Sequence, residues 1–165
     1  RFTAEFGDWW PVRTHSIGGE RVERVVFEPH AGGRIFEQHR DGRRFEWGRV
    51  LDWEPPRRVR FTWHPSRDES TAQDVEIAFE AENGGTRVTL ISTGWERWGA
   101  KARRARKGYH VGWGYVLNVW MGRRTAGMRV MDGVLWTLNL VQKFRGGVDA
   151  EIAQARGEIV QTDSK

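Results

Sequence analysis

Three side chains of types that move protons, Glu37, His39 and Tyr109, are the candidate catalytic groups of this chain. Glu37 and His39 alternate with Phe36 and Gln38, so on an extended strand they share one face, about 7 Å apart, a spacing that suits an acid/base pair. The alternation does not say which face is inward. Turned inward, the two form a proton-transfer pair in an apolar site. Turned outward, the commoner fate of charges on strands, they sit on an Arg-rich sheet, with Glu37 free to pair across strands with Arg49. Arg49 and, in the C-terminal half, His110 and Asn118 are the other polar groups that could converge on the same cavity.

Other chemistries have weaker support. His15, His30, His39, His64 and His110 are scattered without a His-x-x-x-His pair, and there is no cysteine, so no metal, cofactor, disulfide or thiolate chemistry is expected. There is no Gly-x-Ser-x-Gly elbow, and the AGGR run at 31–34 precedes a strand rather than a phosphate-holding helix. The sharpest charge feature is KARRARK, Lys101 to Lys107, where Lys101, Arg104 and Gly108 fall on one helical stripe and Arg103 and Lys107 on another. It reads either as a solvated helix start or as a site for an anion, whether nucleic acid or the acidic head group of a ligand at a cavity mouth. The net charge of +5, from 27 basic and 22 acidic residues, permits nucleic acid. Against it, the nearby Trp98 and Tyr109 serve the buried face of a helix better than an exposed stacking platform.

These groups need elements to position them. Between Arg21 and Thr93 the apolar period is two: residues 21–28, 33–40, 43–54, 58–64, 74–81 and 86–93 read as six strands joined by short turns, an antiparallel meander. Asp41-Gly42 and Asn83-Gly84-Gly85 are hairpin signals, and Pro55-Pro56 breaks the pairing between the third and fourth strands. In the third run Phe45, Trp47, Leu51 and Trp53 are expected on one face, with Arg49 the exception. From about Glu96 to Gly122 the period becomes helical, with an aromatic stripe through Trp113, Val116, Leu117 and Trp120. Gly108, Gly112 and Gly114 weaken this helix, so packing must hold it or it must bend. Met128, Met131, Leu135 and Leu138 mark another helical stripe, and a short helix through Ile152 and Ile159 follows Gly146-Gly147. No apolar run approaches the roughly 20 residues of a spanning helix, the longest being Val134 to Val141, and a cytoplasmic location is the default expectation.

FGDWWP, then FEPHAGGRIFEQHRDGRRFEWGRVLDWEPPRRVRFTW, then GGTRVTLISTGWE, together resemble the START-like helix-grip superfamily, also labelled SRPBCC or Bet v 1-like. Within it the resemblance is to the branch named after the activator of the heat-shock-protein-90 ATPase. It spans about Arg1 to Gly122. What it implies is an α+β helix-grip fold, a curved antiparallel sheet around a long C-terminal helix with an apolar cavity between them. Its members bind lipids, sterols, hormones or polyketides, and some catalyse cyclisation or aromatisation. Family members carry a first strand ahead of the short helices, whereas this chain opens inside what reads as the first helix, RFTAEFGDWW. The expected division is a helix-grip domain over 1–122 and a helical extension over 123–165, packed on the domain or in a dimer.

On that fold the expected function is binding of a small apolar or aromatic molecule, with a cyclase-like or aromatase-like enzyme and a chaperone-partner or other interaction module as alternatives. The expected lining is Trp9, Trp10, Phe27, Trp47, Leu51, Phe61, Trp63, Phe79, Tyr109, Trp113, Leu117 and Trp120. So many bulky side chains either surround a ligand or fill the space themselves as a solid core. The expected partner is a small hydrophobic molecule, with a possible homodimer through the C-terminal extension. Of the adjacent Trp9 and Trp10, fixed by Pro11, one is expected to close the cavity end and the other to be structural.

Overall fold

The computed structural model describes residues 1–123 and Met128. Six strands, β1 (Val22–Phe27), β2 (Arg34–His39), β3 (Arg44–Glu54), β4 (Arg58–Trp63), β5 (Gln73–Glu82) and β6 (Gly85–Thr93), pair in sequence order. Every pair is antiparallel, and the sheet curls around a long C-terminal helix, which makes the fold an α+β helix grip. Short connections favour this order: three residues join β3 to β4 and two join β5 to β6, and such turns return a strand only to its neighbour.

The inner face of the sheet carries Val25, Phe27, Ile35, Trp47, Val50, Val59, Phe61, Trp63, Val75 and Ile77, all buried. β3 departs from the expected alternation. Its pairing slips by one residue opposite Ile35/Phe36 of β2 and again between Val50 and Asp52 toward β4. Each extra residue shifts the phase of everything beyond it. The inward set is therefore Phe45, Trp47, Val50 and a half-buried Trp53, while Leu51 joins Arg49 outside at 37% exposure. On the outer face Phe36 is still buried, because the Arg34 and Arg44 guanidiniums both lie 5.3 Å from its ring centre.

RFTAEFGDWW, expected as the first helix, is a turn followed by the single-turn α1 (Phe6–Trp9), and a second single-turn helix, α2 (Val12–His15), follows Pro11. Phe2, Phe6 and Trp10 join the sheet's core; Trp10 packs 5.2 Å from Trp47 and 5.5 Å from Trp63, centre to centre. The C-terminal helix starts later than its periodicity suggested. Residues Trp95–Lys101 form a 3-10 segment broken at Gly99, whose φ of 51° and ψ of −130° few side chains tolerate, and α3 proper is Ala102–Trp120. The bend thus falls at Gly99, while Gly108, Gly112 and Gly114 stay helical because Trp113, Tyr115 and Val116 bury that helix against the core. Met128 is helical, 7% exposed and part of the core cluster; Met131, Leu135, Leu138 and the rest of the expected extension lie outside the described residues.

Candidate functional site

Where the start of α3 passes over the end of β4, a cavity of ≈ 680 Å³ lies between helix, sheet and the turn after α2. Its aromatic floor is Trp10, Trp63 and Trp113, with ring centres 5.1 Å apart for Trp63–Trp113 and 6.2 Å for Trp10–Trp113. The Trp10 indole is fixed by donating to the His15 carbonyl oxygen at 2.8 Å, so this ring holds its place as a wall. His15, Ser16 and Ile17 close one side. Pro65, Ser66 and Arg67, from the connection after β4, close the other.

The helical wall is open at two positions. A Cβ on Gly108 would meet no heavy atom within 4 Å, and one on Gly112 only His15 Nε2 at 3.8 Å. Both glycines line the cavity. They weaken the helix by about 1 kcal/mol each relative to alanine, and in exchange the lining stays open at both positions. Between them Tyr109 faces the cavity and packs on Trp95 and Trp98 at 5.3 and 5.9 Å. Burial pushes its phenol above the ordinary value of 10.0, and the neighbouring Arg67 only partly opposes this. At the mouth stand Arg67, Lys101 and Arg104; the Arg67 guanidinium lies 4.5 Å from the ring centre of Trp98, whose indole donates to the Thr71 carbonyl oxygen.

Glu37 and His39 face inward, 0% and 1% exposed, which overturns the reading that placed them in solvent. Arg49 pairs instead with Glu46 on the outer surface, at 3.2 Å. A buried carboxylate must be satisfied, and this one accepts from the Ile17 and Gly18 amides at 2.8 Å each and from His39 Nε2 at 2.5 Å. Gly18 lies on the imidazole so closely that a Cβ there would come within 2.2 Å of Nε2. Neither acid nor imidazole lines the cavity; they anchor from behind the backbone that carries Ile17.

Of the expected lining residues, Trp10, Trp63, Tyr109 and Trp113 line the cavity. Phe27, Trp47 and Phe61 are buried in the core beneath it, and Trp9, Phe79, Leu117 and Trp120 pack against that core at the opposite end of α3. Trp9 donates its indole N–H to the Phe2 carbonyl oxygen at 2.9 Å. His110 is exposed, and Asn118 donates back to the Gly114 carbonyl oxygen. Sequence reasoning missed His15, Ile17, Arg67 and Trp98. The turn signals around Pro65 and Ser66 were visible, but nothing in them says which loop meets α3. Among the described residues no group of three acidic or imidazole side chains could hold a metal, and no helix is long and apolar enough to cross a membrane.

A family model described as Activator of Hsp90 ATPase homolog 1-like protein matches residues 4–119. Among solved structures, that of an anthrahydroquino-Gama-pyrone synthase, Txn09, complexed with SUM, is 34% identical, with 64% of this chain and 73% of that chain covered and a TM-score of 0.43. A protein from Rhodobacter sphaeroides is 24% identical over 75% of this chain and 84% of its own, with a TM-score of 0.46. CalU16 from Micromonospora echinospora is 18% identical over 86% and 80%, with a TM-score of 0.41. No curated protein matches.

Proposed function

The chain belongs to the family of Activator of Hsp90 ATPase homolog 1-like proteins, and from that premise we propose that it binds a small apolar or aromatic molecule in the cavity between the sheet and α3. The observation that carries the reading is an indole floor beside a helix face that carries glycine at positions 108 and 112. The ≈ 680 Å³ between them falls within the roughly 300–1,000 Å³ of small-molecule sites. Three tryptophans close enough to fill a core instead leave room.

The binding reading fits better than the cyclase-like or aromatase-like one. A proton-transferring site needs polar groups converging on the ligand. Of the three candidates only Tyr109 reaches the lining, and a phenol with a raised pKa stays protonated at neutral pH. Glu37 and His39 are engaged with each other and with the Ile17–Gly18 backbone. A chaperone-partner role or a homodimer would use the segment from Thr125 onward, outside the described residues apart from the buried Met128.

The test is titration with N-phenyl-1-naphthylamine, a neutral apolar fluorophore, together with native mass spectrometry of the protein purified from its host. Saturable binding of one probe per chain, or a retained small molecule that the probe displaces, is the expected result. Absence of saturable binding by this and other apolar probes would refute the reading.

A further inference from the structure

The cavity's charge is as one-sided as its floor is aromatic. Its lining includes three cations, Arg67, Lys101 and Arg104, and no aspartate or glutamate. Arg67 comes from the β4–β5 connection, Lys101 from the end of the 3-10 segment and Arg104 from the first turn of α3, so the fold gathers them from separate parts of the chain.

Several arginines elsewhere on this surface meet carboxylates, although Arg103 and Arg106 on the outer side of the same helix meet none among the described residues. Arg34 pairs with Glu28, Arg43 with Asp41, Arg60 with Asp52 and Arg97 with Asp74, each within 3.0 Å. Among the described residues none of the three cavity cations has such a partner. The carboxylate adjacent in sequence, Asp68, is turned to its own chain and accepts from the Ser70 amide at 2.9 Å. The first turn of α3 holds no acidic residue, so the positive end of the helix adds to the cations instead of being answered within the chain. The Arg67 guanidinium is already held over Trp98 before any ligand arrives.

Resting on the reading of this cavity as a binding site, we propose that its ligand is an aromatic anion. The ring body lies among Trp10, Trp63 and Trp113, and a carboxylate, phenolate, sulfonate or phosphate is held at the mouth by Arg67, Lys101 and Arg104. Guanidinium and ammonium groups converging at the open end of an apolar slot favour a molecule with one charged end.

Two probes that differ by one group make the test. 8-Anilinonaphthalene-1-sulfonate is N-phenyl-1-naphthylamine with a sulfonate added, and both report binding by fluorescence. In the full chain, the combined Arg67→Gln, Lys101→Gln and Arg104→Gln variant is expected to weaken the sulfonate probe by roughly tenfold or more, the worth of a charge-assisted hydrogen bond. It should leave the neutral probe within about twofold, the scatter expected when no contact is lost. Removing two cations from the same helix but outside the lining, Arg103→Gln with Lys107→Gln, is expected to leave both probes unchanged. The proposal is overturned if the triple variant weakens both probes alike, if it weakens neither, or if the off-cavity pair has the same effect as the triple. If neither probe binds the wild-type chain, the cavity reading itself fails and this inference falls with it; binding of the neutral probe alone overturns only the inference.

Discussion

Gly108→Leu should make the protein more stable and a worse binder at the same time. In a core filled by side chains, an added leucine overpacks and destabilises by about 1–3 kcal/mol. Here the Cβ position of Gly108 is open and faces the cavity. Leucine is close to the best helix former and glycine among the poorest, so the substitution gains about 0.7 kcal/mol from propensity alone. For a chain of this size that is a rise in Tm of roughly 1.5–3 °C. The new side chain stands on the cavity lining, in space that is now open, and affinity for N-phenyl-1-naphthylamine should fall roughly tenfold or more, in line with a steric block. Gly114→Ala is the control, because Gly114 is equally open but does not line the cavity. It should stabilise by about 1 kcal/mol and leave binding unchanged. Thermal melts and probe titrations on the same samples decide the matter. A destabilised Gly108→Leu would refute the open wall, and a stabilised one that binds normally would refute this cavity as the site.

Other substitutions probe the supports. Trp10→Ala should cost about 3–5 kcal/mol, and the milder Trp10→Phe should still weaken probe binding. Trp9→Ala, at a half-buried ring away from the lining, should cost less and leave binding intact; identical effects on stability and binding at the two positions would contradict the division of labour between them. Glu37→Gln removes one of the carboxylate oxygens serving Ile17, Gly18 and His39, and urea unfolding should show a loss of about 2–3 kcal/mol. A loss within a few tenths of a kcal/mol would mean the anchor is dispensable. Because the folded-state pKa of Tyr109 lies above its unfolded value of 10.0, its contribution is complete below that pH and declines as pH rises through the folded value. Urea midpoints measured above pH 10.0 should therefore fall more steeply for the wild type than for Tyr109→Phe; equal slopes would contradict a buried phenol.

The meander and the long helix were legible because alternation and turn chemistry are local. RVRFTWH and DVEIAFEA declare their inward faces residue by residue, and Asp41-Gly42 and Asn83-Gly84 mark where the chain reverses. β3 was misread at Val50 and Leu51 because a bulge is set by the partner strand's register, and one inserted residue moved Leu51 outside and Val50 inside before a second returned Trp53 to the inner face. Four of the cavity residues could be named in advance, as large aromatics have few other places to go. Arg67 and His15 could not, since loops far apart in sequence meet there only through tertiary structure. Glu37 and His39 illustrate the other limit. Their shared face was visible, but the reason to bury it lies in two backbone amides twenty residues away.

The most direct test of the account is the spectrum of the tryptophan indole N–H groups, recorded on ¹⁵N-labelled protein while N-phenyl-1-naphthylamine is added. With each resonance assigned by substitution, Trp10, Trp63, Trp98 and Trp113 should shift together and saturate at one probe per chain, while Trp9, Trp53 and Trp120 stay in place. Saturable shifts centred on Trp9 and Trp120, or no saturable shift at any indole, would contradict the claim that this cavity is the binding site.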